Sequence, residues 1–270
     1  MSTSKFRNTT NLHAPTSRTA PQRFLSLHAE LRNHILQHAL TEAHLLLYIE
    51  PTATTKARIF KPIADIQREF NEIKYVCKQL YAETAGLEIK YSTIEFYGDF
   101  PAEKGPGMKF LEFMLTCAPT KAAWFHHVEL TTNRAGHQND NFEMMIEPPA
   151  TMTCIVGFCR ANPDLKIAYV SRAFQIEFNR NVYEFFLRGE YLAYVLRHAE
   201  LDVLLPHGMF SSCAWSPGNF GIAIDVENFQ IWPSQRKGLE LQEVLRCLEK
   251  YPSLVDEFRV VARSWLANGI

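Results

Sequence analysis

The chain lacks a long apolar run. Its longest candidate, residues 43–49, is interrupted by His44 and closed by Glu50. It falls far short of the ~20 residues a membrane-crossing helix needs, so no membrane span is expected. It also lacks an excess of either charge: 28 Lys and Arg stand against 29 Asp and Glu, a net charge of -1. No global field then draws it to nucleic acid or anionic lipid. Basic groups such as Arg180 and Arg197 are not interleaved with aromatics at useful density, so no nucleic-acid partner is expected. Six cysteines are scattered without a Cys-x-x-Cys pair, and Cys154 and Cys159 are five apart. They read as small buried apolar residues of a reducing compartment. Residues 1–23 lack the apolar centre of a secretory signal. An intracellular protein, cytoplasmic or nuclear, is the expectation.

Enzyme signatures are also missing. Gly-x-Ser-x-Gly does not occur, and Ser216 in Trp215-Ser216-Pro217-Gly218 reads as a turn residue. Gly105-Pro106-Gly107 lacks the Lys and the spacing of a phosphate loop, and His-Glu-x-x-His is absent. Asp225 and Glu227 are two apart and would share a strand face, where paired carboxylates can hold magnesium or act as acid and base. No Lys accompanies them over 225–232, and carboxylates facing water are the plainer reading. Glu30, His34 and His38 share one helix face, and two His four apart can chelate a divalent metal; a solvated face is again plainer. His126 and His127 point to opposite strand faces beside Glu129 and cannot chelate together. No catalytic residue, metal or cofactor is expected, and a metal-dependent hydrolase or nuclease ranks last among functions.

What is present is globular: 47% hydrophobic and 21% charged residues over 270 positions, enough for a sizeable core. Residues 1–23 hold four basic residues and no acid, and Pro15 and Pro21 interrupt any helix. A flexible leader is expected there, then a single α+β domain over 24–270. Leu27, Leu31, Ile35 and Ala39 predict a helix over about 28–40 with one apolar stripe. Residues 45–49 and 57–60 flank turn chemistry and predict a hairpin. Ile73, Val76, Cys77, Leu80, Tyr81 and Thr84 predict a second helix, capped by Asn71 or starting earlier near Asp65. Residues 93–97 alternate as a strand. Next come a loop over 101–107, a helix over 108–115 and a strand from about Phe125, then a polar loop over 134–141. A helix at 152–159 ends at Asn162-Pro163, and a strand over 165–170 completes a crossover. Residues 182–198 predict a helix pair broken at Gly189. Residues 221–226 predict a strand that 229–232 extends or pairs with. Helices with apolar stripes at 241–248 and 254–265 close the chain, Ser253 capping the second. The aromatics Tyr183, Phe185, Phe186, Tyr191 and Tyr194 read as core or interface. The expected architecture is an N-terminal helix, hairpin and second helix packed with a mixed sheet and C-terminal helices.

Phe24, Leu25, Leu27, Glu30, Leu31, Arg32, Asn33, Ile35, Ala39 and Leu40 match the pattern Phe-Leu-x-Leu-Pro-x-Glu-Leu-Arg-Asn-x-Ile-Tyr followed by Ala-Leu. This opening resembles fungal F-box-like domains. The run from Val76 through Lys78, Gln79, Leu80 and Tyr81 to Glu83, with Thr93-Ile94-Glu95-Phe96, is similar to their second helix and strand. The resemblance covers 24–96. His28 stands where the pattern has Pro, and Leu36 where it has Tyr. Related fungal domains carry two Glu-x-Arg signatures; Glu30-Leu31-Arg32 supplies the first and Lys78-Gln79-Leu80 does not supply the second.

The resemblance implies a non-enzymatic protein-interaction domain. Leu27, Leu31 and Ile35 would fill a groove on a Skp-type adaptor of a ubiquitin ligase, and the part after residue 100 would select an unknown target protein. The plainer alternative packs the same stripe on the second helix within the domain, as amphipathic helices do. The chain would then be an orphan regulatory or effector-like binder whose motif is only structural.

Overall fold

The computed structural model describes residues 24–42, 44–54, 56–63, 66–98, 104–132, 147–171, 182–197, 224–233 and 255–270. The expected leader, the 134–141 loop, Ser216, the 241–248 helix and the Ser253 cap lie outside them. The chain divides into two compact units, Met1–Ala39 and Leu40–Ile270. In the first, a 3-10 turn, Phe24–Ser26, leads into α1 (Ala29–Leu40).

Among the described residues the larger unit holds seven strands: β1 (Leu46–Ile49), β2 (Arg58–Ile63), β3 (Ile66–Glu69), β4 (Ile94–Gly98), β5 (His127–Thr132), β6 (Lys166–Ser171) and β7 (Phe229–Pro233). Its helices are α2 (Lys78–Thr84), α3 (Leu87–Tyr91), α4 (Pro106–Thr116), α5 (Pro119–Ala122), α6 (Pro149–Ala161), α7 (Val182–Arg197) and α8 (Val255–Asn268). All seven strands form one sheet in the order β3-β2-β1-β4-β5-β6-β7. The first three are antiparallel, and β1, β4, β5, β6 and β7 run parallel. Helices with a mixed sheet are the α+β class expected.

Register explains the core. Leu46, Ile94, Val128, Ile167 and Phe229 lie side by side across the five parallel strands, and Tyr48, Phe96, Leu130, Tyr169 and Ile231 form the next row. None of the ten is more than 8% exposed. The parallel strands follow chain order. Right-handed crossovers between them therefore place their helices on a single face of the sheet. Phe110 of α4, Met152 and Ile155 of α6, and Phe185 and Phe186 of α7 share one core with the two rows. The residues between, such as Glu95, Glu129 and Gln230, occupy the opposite face and are half-buried. Asn228 ties the ends together: its amide donates to the carbonyls of Cys159, Asn162 and Leu165, at the close of α6 and the entry to β6.

Several sequence expectations need correction. The hairpin forms, with Leu47 opposite Phe60, but 66–69 is a third strand rather than the start of a helix. The second helix is broken in two: a 3-10 turn, Glu72–Tyr75, precedes α2. Cys77 is extended and caps α2, its sulfur accepting from the Leu80 N–H. Asn71 makes no cap; it is buried, and its amide donates to the Thr84 carbonyl and the Glu88 carboxylate. Gly86, at φ 93, turns the chain from α2 into the unforeseen α3. Helix α4 starts at Pro106, within the expected loop, because Pro suits the first helical position. The expected strand over 221–226 is not strand at 224–226: Arg197 Nη1 takes the Ile224 and Val226 carbonyls at 2.9 and 2.8 Å, and the ladder begins at Phe229.

Helix α7 is continuous through Gly189. The glycine is there for closeness, because a Cβ would fall inside the Trp265 ring of α8. Trp265 packs 5.8 Å from both Phe185 and Phe186, and Phe258 lies 4.2 Å from Phe186, centroid to centroid. Gly189→Ala gains helix propensity of about 1 kcal/mol but must displace the indole, and overpacking costs about 1–3 kcal/mol. A net loss of stability is expected in urea unfolding; a variant more stable than wild type would contradict this packing.

Candidate functional site

The smaller unit builds its surface locally. The Leu27 N–H donates to the Phe24 carbonyl at 3.2 Å, closing the 3-10 turn. Arg32 Nη1 reaches back to the carbonyls of Leu27 at 2.6 Å and Leu25 at 3.5 Å. One guanidinium thus holds the turn against α1. Arg32 serves backbone groups here.

Helix α1 turns about 100° per residue, and two opposed faces result. Leu36 and Leu40 are each 1% exposed, whereas Leu31 is 55% and Ile35 46% exposed. Ala39 is exposed and Leu27 half-buried. The stripe read from the sequence is therefore the open side of the helix beyond Leu27, and the buried pair Leu36 and Leu40 was not part of that stripe. Both faces are apolar, so periodicity could not rank them. The second resembling segment behaves similarly. Leu80 and Thr84 are buried, but Tyr75, Val76 and Tyr81 are exposed, Val76 at 72%. Nine large apolar side chains are exposed among the described residues; five of them lie on these two segments and Tyr75 just before the second.

The acidic pair proposed from sequence does not assemble. Residues 224–228 are loop and turn, so Asp225 and Glu227 share no strand face. Asp225 instead pairs with Arg160 of α6. Register brings together a different pair that sequence alone could not see: Glu95 of β4 lies beside Glu129 of β5. Burial, then the Glu95 charge, push the Glu129 carboxyl up to about 7, although Thr131 donates to it. The Glu129 carboxyl can thus hold or release a proton near neutral pH. Among the described residues no three His, Cys, Asp or Glu are grouped to hold a metal ion, and no helix is long and apolar enough to cross a membrane.

Glu147 was also missed. It is 1% exposed, and its Oε1 accepts the Gly107 N–H at 2.6 Å in the first turn of α4. Gly105 and Gly107 make the cradle: a Cβ on Gly105 would collide with the carboxyl, and one on Gly107 would sit 2.9 Å from Glu147 Cγ. Burial pushes this carboxyl up to about 7. Only the three-dimensional approach of residues forty apart makes it visible.

No family model matches the chain, and neither a curated protein nor a solved structure matches it.

Glu129 and Glu147 hold their protons to about pH 7 when folded, against about 4.5 for an ordinary glutamate. Between those pH values the folded state binds more protons than the unfolded one. Stability from these groups is thus full below pH 4.5, falls as pH rises to 7, and is level above. Glu147→Gln removes one such loss. Relative to wild type, the variant is expected to gain up to about 3 kcal/mol between pH 4.5 and pH 8. Urea unfolding at both pH values measures it, and an equal difference at the two would refute the assignment.

Proposed function

We propose that the chain is a non-enzymatic protein-interaction domain of the fungal F-box-like kind. In this reading Leu27, Leu31 and Ile35 dock on a Skp-type adaptor. The part after residue 100 offers the surface that selects a target for ubiquitin ligation, in the cytoplasm or nucleus. The observation that supports it is the exposure of Leu31 and Ile35 on α1, since a docking helix must keep its anchors free. Exposed apolar side chains on each of the two resembling segments, taken separately, add to it, because exposed apolar surface marks interaction sites. Burying a Leu or Ile fully is favourable by about 1.5–3 kcal/mol, so a few such anchors suffice for a specific contact. The competing reading, a stripe that only packs within the domain, needs Leu31 and Ile35 covered.

The full chain, mixed with a purified Skp-type adaptor, is expected to co-elute with it. Leu31→Asp is expected to weaken capture more than tenfold while unfolding free energy stays within about 0.5 kcal/mol of wild type, as for an exposed site. A well-folded wild-type chain that never captures adaptor defeats the proposal.

A further inference from the structure

Leu31 and Ile35 do not occupy the open side of α1 alone. At about 100° per residue, His34 and His38 fall in the same third of the helix circumference. Both are exposed. Their rings stack, with centroids 6.2 Å apart and planes 21° from parallel. The geometry points to a two-histidine site for a divalent transition metal, with one imidazole nitrogen of each ring as ligand.

Three features carry this. The first is ligand type: neutral imidazole suits zinc, copper and nickel, whereas magnesium and calcium seek oxygen. The second is reach. A metal bonded to one nitrogen of each ring at about 2.1 Å holds the centroids within roughly 6.5 Å. The observed spacing already lies inside that limit, so side-chain rotation alone can turn the nitrogens inward. The third is preorganisation. One helical turn fixes the two ligands as neighbours, so binding the second ring requires no ordering of the backbone. Among the described residues no third His, Cys, Asp or Glu is grouped with the pair, so water fills the remaining positions. A metal bridging residues four apart also staples the helix, and α1 gains protection against opening. The site stands independently of the adaptor reading: it needs only the α1 conformation.

Calorimetric titration of the full chain with copper(II), nickel(II) and zinc ions, each alone, tests the proposal. Wild type is expected to bind one equivalent that His34→Ala and His38→Ala each weaken at least tenfold, with copper tightest. Both side chains are exposed, so the variants should unfold at the wild-type temperature. Amide exchange adds a second measurement: zinc should slow exchange in α1 of wild type and not in the double variant. The chain has ten histidines. Binding that the variants leave unchanged therefore belongs elsewhere and overturns the proposal. So does a wild-type chain that binds no ion more tightly than about 1 mM.

Discussion

Two rows of apolar side chains, stitched across five parallel strands by backbone hydrogen bonds, hold the larger unit together. Every residue in them stands beside its partner because the ladder repeats without a slip from β1 through β4, β5 and β6 to β7. A shift of one residue in any strand would turn its apolar set to the other face and bring polar neighbours inward. Helices α4, α6 and α7 have their apolar residues in this core, and their lengths and starts are subordinate to it. Burial of apolar surface is the term that outweighs chain ordering, and here it is concentrated on one side of one sheet.

That concentration decides where polar groups can go. Glu95 and Glu129 occupy the half-buried opposite face, where burial and the neighbouring charge raise the Glu129 carboxyl to about 7. Glu147 is admitted to the interior only because a helix start supplies an N–H and two glycines leave room. In the Asn71, Thr84 and Glu88 cluster the Asn71 amide nitrogen meets the Thr84 carbonyl and the Glu88 carboxylate, while the Asn71 side-chain oxygen is buried without a hydrogen-bond partner. Arg197 gathers the carbonyls of Ile224, Val226, Phe229 and Ile270, so irregular backbone beside β7 is satisfied without a strand. Ion pairs at the rim, such as Lys104 with Glu112, lie in water and add little.

Legibility varied by element for physical reasons. Strands β4, β5 and β6 were readable because each alternates or runs apolar between turn signals. Helix α6 was readable because its stripe is unbroken and Asn162-Pro163 ends it. The hairpin β1–β2 was readable from its turn chemistry, yet β3 was not, since Gln67, Arg68 and Glu69 alternate with nothing. Gly189 misled because a glycine that breaks a helix and one that admits a neighbouring ring look alike in sequence. The Asp225 and Glu227 pair misled because alternation was assumed beyond the true start of β7. On α1 two apolar faces compete at the same period, and the stripe read as one surface had Leu31 and Ile35 in the open.

The sequence by itself determined the class of local structure: apolar periodicity and turn residues are short-range properties, and each acts within a few positions of where it is written. Tertiary structure alone decided register, and with it every long-range neighbour, including Glu95 beside Glu129, Glu147 in its glycine cradle and Trp265 against Gly189. Those outcomes depend on which distant segments share one sheet and one core, and that choice is made by the summed burial of the whole chain rather than by any residue within it.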